Sequence, residues 1–136
     1  MTTAVKTKSA YDILVEVSES AEQAVKACRP TPIIVGDAIG LSNEIDESKP
    51  TYYIEGGLCG FASVIIKPAR GKFVTELKKR KIGGAHYYGG YSVSSWEFAP
   101  SIRRDQSYER ACAAAKGAVE VLKSYGINAY VDSRID

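Results

Sequence analysis

Gly60-Phe61-Ala62-Ser63-Val64-Ile65-Ile66-Lys67-Pro68-Ala69-Arg70-Gly71-Lys72 is the stretch on which the fold turns. Its first seven residues are small or mostly apolar and end in three β-branched residues, so they read as a buried strand. Pro68 has no N–H to give to a ladder, and Lys67-Pro68 therefore closes that strand. Beyond it, Gly71 to Lys81 sets Phe73, Val74 and Leu77 on one side and cations on the other. That pattern predicts a short basic helix, with Gly83-Gly84 as its cap.

Upstream, Thr51 to Glu55 reads as a second strand, joined to the first by a turn or bulge at Gly56-Gly57. Gly36 to Pro50 is polar, acidic and rich in turn formers, and reads as a flexible loop. Thr31 to Val35 before it is a short β-branched run, hence a strand. Ala10, Ile13, Leu14, Val17, Ala21, Ala24, Val25 and Cys28 recur at helical spacing until Pro30 and Pro32 stop them. The alternation of Ile13, Val15 and Val17 leaves a strand open there. Residues 1–9 read as a flexible lead-in and 10–136 as a single domain. Downstream, Ala85 to Phe98 reads as one or two strands interrupted at Gly89-Gly90. A helix over Asp105 to Tyr125 presents Ala111, Ala114, Ala115 and Ala118 on one thin face and ends at Gly126. Ile127 to Asp132 is the last strand. The order predicts a single α+β domain with a mostly antiparallel sheet of about five strands and three helices packed mainly on one face. The final helix–strand pair could add one parallel neighbour.

At 136 residues, with 45% hydrophobic and 25% charged residues, the chain can bury a core, which excludes global disorder. No run approaches the roughly 20 apolar residues needed to cross a bilayer, so no membrane partner is expected. Met1 to Ala10 is polar and has no apolar core after it; no signal peptide and a cytoplasmic location are expected. Cys28, Cys59, Cys112 and the single His86 lack the close spacing of a zinc site. Free, mostly buried thiols, no metal and no cofactor are expected. The net charge of +2 is unevenly spread: residues 67–81 hold seven Lys/Arg against Glu76 alone.

Three segments carry candidate ligand-binding residues. Lys67, Arg70 and Lys72 surround a helix N-terminus, whose free N–H groups and partial positive charge suit a phosphate. It is not a P-loop, and plain solvation of a charged helix is the alternative. Tyr87 and Tyr88, in His86-Tyr87-Tyr88-Gly89-Gly90-Tyr91, can stack on bases or fill core positions. Arg103 and Arg104, with Gln106, Ser107 and Arg110, put cations at the start of the long helix. The dipole disfavours that unless an anion binds, or unless Asp105 and Glu109 neutralise the turn. The catalytic candidates are His86 and Cys59 as a Cys–His pair, against Cys59 as a small core residue. Asp132 and Asp136 could share a magnesium ion, and Arg134 between them reads as an ion pair holding the tail.

Pro30-Thr31-Pro32, Cys59-Gly60-Phe61-Ala62, Tyr87-Tyr88-Gly89-Gly90, Gln106-Ser107, Ala129-Tyr130 and Ser133-Arg134-x-Asp136 together resemble a group of small proteins encoded by tailed bacteriophages. The likeness spans most of the chain after about residue 10. It implies a phage or prophage origin and expression inside a bacterial host cell, and it transfers context, not chemistry. In that context the expected function is a phage accessory protein in host takeover or counter-defence. Its expected action is as a homo-oligomeric module that binds a nucleotide or nucleic acid without turning it over. A small hydrolase or nuclease, and a virion-structural or host-protein-interaction protein, are the alternatives.

Overall fold

Ser9 accepts a hydrogen bond from the Asp12 N–H at 3.1 Å and so starts α1 (Ala10–Ala27). The computed structural model describes residues 8–42 and 44–136; of the expected lead-in, residues 1–7 lie outside that range. The helical set Ile13, Leu14, Val17 and Ala21 is buried while Val15 is exposed, which decides for helix over strand. Cys28 closes α1 as its C-cap, just ahead of the prolines.

β1 (Ile33–Gly36) and β2 (Thr51–Ile54) pair antiparallel as a two-stranded sheet of their own. The reason lies at Gly57, which has φ 76° and sits on the Thr31 carbonyl, where a Cβ would come within 2.4 Å. The chain swerves there, so β2 leaves the neighbourhood of β3 (Gly60–Ile66) instead of pairing with it.

The main sheet has the order β4-β5-β3-β6, with β4 (Gly84–Ala85), β5 (Tyr91–Ser94) and β6 (Ala129–Ile135). All its pairings are antiparallel. α2 (Lys72–Lys79) connects β3 to β4, and α4 (Tyr108–Ser124) lies between β5 and β6. From β3 onward the chain is therefore a split β-α-β-β-α-β unit. The parallel neighbour expected at the end does not form, because β3 stands between β5 and β6 and pairs antiparallel with both.

Two local expectations are corrected. The strand expected to run to Phe98 stops at Ser94, because Glu97 accepts the Ser94 N–H at 2.9 Å and opens the short helix α3 (Ser95–Phe98). A 3-10 turn, Pro100–Ile102, follows. At the end of α2, Ile82 N–H bonds to Leu77 O and Lys81 N–H to Lys78 O, a Schellman closure with Lys81 in the left-handed position at φ 58°. Gly83 is needed for another reason: a Cβ there would stand 2.5 Å from Ser92 O, against β5.

α1, α2 and α4 cover one face of the main sheet, meeting Ala62, Val64, Ile66, Tyr91, Val93 and Ala129. Val64, Leu77, Val93 and Leu122 are fully buried, and each such side chain contributes about 1.5–3 kcal/mol. The small-residue face of α4 serves two neighbours. Ala114, Ala115 and Ala118 are wholly buried. Gly117 admits α1, whose Ser20 hydroxyl donates to Gly117 O at 2.9 Å. Among the described residues, no helix is long and apolar enough to cross a membrane.

Candidate functional site

Alternation along the strands leaves the second face of the main sheet without a helix. Register places its side chains in rows. Phe61 is opposite Arg134; Ser63 lies between Ser94 and Asp132; Ile65 lies between Ser92 and Tyr130. Phe61 is 53% exposed and Tyr130 40% exposed, large rings on a sheet surface facing away from the core. Each has a cation over it. The Arg134 guanidinium is 5.3 Å from the Phe61 ring centre, and Lys67 Nζ is 5.7 Å from that of Tyr130. Beyond the Phe61 end, Arg103 lies 5.2 Å from the ring centre of exposed Trp96. Phe61, Ser63, Ser94, Trp96, Arg103 and Arg104 line one shallow depression of about 290 Å³ there.

The turn between β4 and β5 folds over the middle of this face. Ile65 is 0% exposed yet stands apart from the main core, because Gly90 seats the turn upon it. A Cβ on Gly90 would come within 3.2 Å of Ile65 Cγ2 and 2.8 Å of Lys67 Cγ. Under the turn, His86 Nε2 is 3.5 Å from Asp132 Oδ2, while Nδ1 lies 3.3 Å from the Tyr88 N–H and 3.2 Å from Gly89 O. His86 thus brings the turn beside β6. Tyr87 and Tyr88 project at its tip, both strongly exposed, and meet edge to face at 4.7 Å between ring centres.

The seven ligand-binding candidates fall into three places. Lys67 shares the uncovered face and the neighbourhood of the turn carrying Tyr87 and Tyr88. Arg103 and Arg104 stand at the other end of that face, beside Trp96. Arg70 and Lys72 lie on the helix side of the sheet, in a separate cleft with Ile13, Ile66 and Tyr125. Arg103 and Arg104 precede α4 and are not part of it. The helix begins at Tyr108 with Ser107 as N-cap, and Arg110 is held by Asp105 at 2.9 Å. The supposed clash of cations with the helix dipole therefore disappears, since Asp105 and Glu109 supply the acid.

Cys59 and His86 have separate partners. The Cys59 thiol faces Gln106 Oε1 at 3.8 Å, near the start of β3, while His86 Nε2 faces Asp132. The three thiols are free and half-buried, less enclosed than expected. Burial pushes the Cys28 thiol above its ordinary range. Asp132 and Asp136 are separated by about 13 Å at the rise of an extended strand, too far to share one ion. No group of three or more His, Cys, Asp or Glu side chains gathers among the described residues. Arg134 lies on the Phe61 ring, a contact that reading it as a tail ion pair did not foresee.

Phe61 and Tyr130 stand outside the candidate residues read from the sequence. The signal for Phe61 and Tyr130 was the period of two: each sits out of phase with the buried set Ala62, Val64, Ile66 and Ala129, Val131. Comparison with protein-family models, curated proteins and solved structures finds no match for the chain.

Proposed function

We propose that the protein is a non-catalytic binding module for a phosphorylated ligand, a nucleotide or nucleic acid, held on the uncovered face of the main sheet. The observation that carries this is the pairing of exposed rings with cations on one face: Arg134 on Phe61 and Lys67 on Tyr130, with Arg103 on Trp96 at its end. Against Lys67, Arg103, Arg104 and Arg134 stand Asp132 in these rows and Asp105 in the depression, the latter paired with Arg110, so cations outnumber carboxylates there. The cations are not locked in place. An exposed cation–ring contact is worth about 0.5–1 kcal/mol, whereas stacking a base on such a ring is worth about 1–3 kcal/mol. A base therefore displaces the cation from the ring, and the freed cation reaches the adjoining phosphate. In the setting implied by the phage resemblance, such a module works inside the host cell by sequestering its ligand.

The test is calorimetric titration with ATP and with a short oligonucleotide at about 50 and 300 mM salt. Binding of either that weakens as salt rises is expected. No heat from either at the lower salt removes the reading.

A second reading has an observation of its own. Ile34 is 60% and Tyr53 68% exposed on the β1–β2 hairpin, and Val35, Leu41 and Tyr52 are exposed nearby. Such a patch is the kind that a second copy of the chain covers. Light scattering should then give a dimer that Tyr53→Lys dissociates; a monomeric parent protein refutes it.

A further inference from the structure

We infer that the ligand of this face is a single-stranded nucleic acid laid along β3 and β6, with bases two nucleotides apart stacked on Phe61 and Tyr130. This rests on the preceding reading and narrows it to one ligand class. Phe61 and Tyr130 lie on neighbouring strands, four residues out of register, because Tyr130 is opposite Ile65. At the rise of a strand this puts the two rings about 13 Å apart. Trp96 lines the same depression as Phe61, and each of the three rings has its own cation. A ring and a cation repeated across one face match a ligand that repeats base and phosphate. A mononucleotide would use one pair and leave the others idle.

The shape of the face excludes the other forms. Paired bases in a duplex present no free surface to a flat ring, so a duplex gains phosphate contacts and no stacking. Between the two rings the floor is Ser63, Ser94 and Asp132, polar side chains at the level where base edges would lie. His86, 3.5 Å from Asp132, brings the β4–β5 turn over this floor between the two rings, so the nucleic-acid strand passes above the imidazole on its way from Phe61 to Tyr130. Tyr87 and Tyr88, at the tip of that turn, stand free beside it.

The experiment is fluorescence anisotropy with fluorescein-labelled poly-dT and poly-U of about a dozen nucleotides, a length within the range of single-strand sites. Unlabelled duplex of mixed sequence and ATP serve as competitors. The single strand should bind, and ATP should compete at least about 100-fold less well, since stacking contributes again at each further base. Phe61→Ala and Tyr130→Ala should each weaken binding about 5- to 100-fold, and Phe61→Trp should restore it. Arg134→Ala should lower the slope of log K against log salt by about 0.7, one phosphate contact to a single strand. Circular dichroism confirms that each variant keeps the fold.

Three results overturn the inference: duplex binding as tight as single-strand binding, ATP competing as well as the oligonucleotide, or alanine variants that bind like the parent. ATP bound alone and weakened by salt would leave the broader phosphorylated-ligand reading standing. Absence of binding to every probe removes both.

Discussion

Replacing Gly117 with alanine should destabilise the protein, although the same change in an isolated helix would do the opposite. Gly117 lies inside α4, where alanine in place of glycine gains about 0.5–1 kcal/mol from backbone entropy alone. The structure opposes that gain. A Cβ at 117 would stand 2.9 Å from the Ser20 carbonyl oxygen, 3.1 Å from Ala24 Cβ and 3.2 Å from the Ser20 carbonyl carbon. Two of these atoms are backbone of α1 and cannot rotate away, so α1 must shift as a body. Overpacking of this kind costs about 1–3 kcal/mol. The Ser20 hydroxyl bond to Gly117 O would stretch as α1 moves. The expected net loss is about 0.5–2 kcal/mol. For a chain of 136 residues that corresponds to a fall in Tm of about 2–7 °C. Thermal unfolding followed by circular dichroism, with urea midpoints as a check, measures it. Ser20→Ala combined with Gly117→Ala should recover nothing, because the obstructing atoms belong to the backbone. A Tm equal to or above that of the parent would show that α1 and α4 do not approach this closely.

Further outcomes follow from single contacts. Lys81→Gly should raise stability by about 0.5 kcal/mol, since glycine removes the left-handed strain at φ 58° but adds freedom to the unfolded chain; Lys81→Ala should give no gain in urea unfolding. Tyr91 donates its hydroxyl to Ile82 O, and burial, then Glu97, raise its ionisation above the ordinary value. Its contribution is complete below about pH 10 and is lost as pH climbs through the raised folded-state value. Tyr91→Phe should therefore cost about 1 kcal/mol at pH 7 and flatten the alkaline decline, as read from urea midpoints across that range. Asp132→Asn keeps an acceptor for His86 but removes a negative charge from the uncovered face. Oligonucleotide affinity should rise about twofold at 50 mM salt, with the gain gone at 300 mM in the anisotropy assay.

Much of the fold could be read locally, and its failures were non-local. β3 was bounded correctly at both ends because Pro68 and the apolar run are signals carried by the residues themselves. α1 and α4 followed from spacing and from Pro30 and Gly126, though α4 starts later than Asp105 because Ser107 is its cap. The Ser94-x-x-Glu97 box was also in plain view, but the aromatic run around it argued for strand. What could not be read was which strand joins which sheet. That depends on Gly57 meeting Thr31, a contact between segments far apart in the chain. The site divides in the same way. Cationic residues drew attention by clustering in sequence, yet Lys67 and Arg70 face opposite sides of the sheet. Phe61, Tyr130 and Arg134 come together only through the pairing of β3 with β6.

β6 has one further consequence for handling the protein. It pairs with β3 on one side and, among the described residues, with no strand on the other, so seven residues of ladder face outward. Tyr130 and Ile135 on that border are exposed and apolar enough to welcome a foreign strand. Asp132 and Arg134 interrupt the border with opposite charges, the means by which natural sheets discourage edge-to-edge aggregation. The residues proposed to meet a ligand therefore also act as gatekeepers for solubility. A variant that neutralises both should turn cloudy at concentrations where the parent stays clear, and the loss will show first in the concentrated stocks prepared for binding studies.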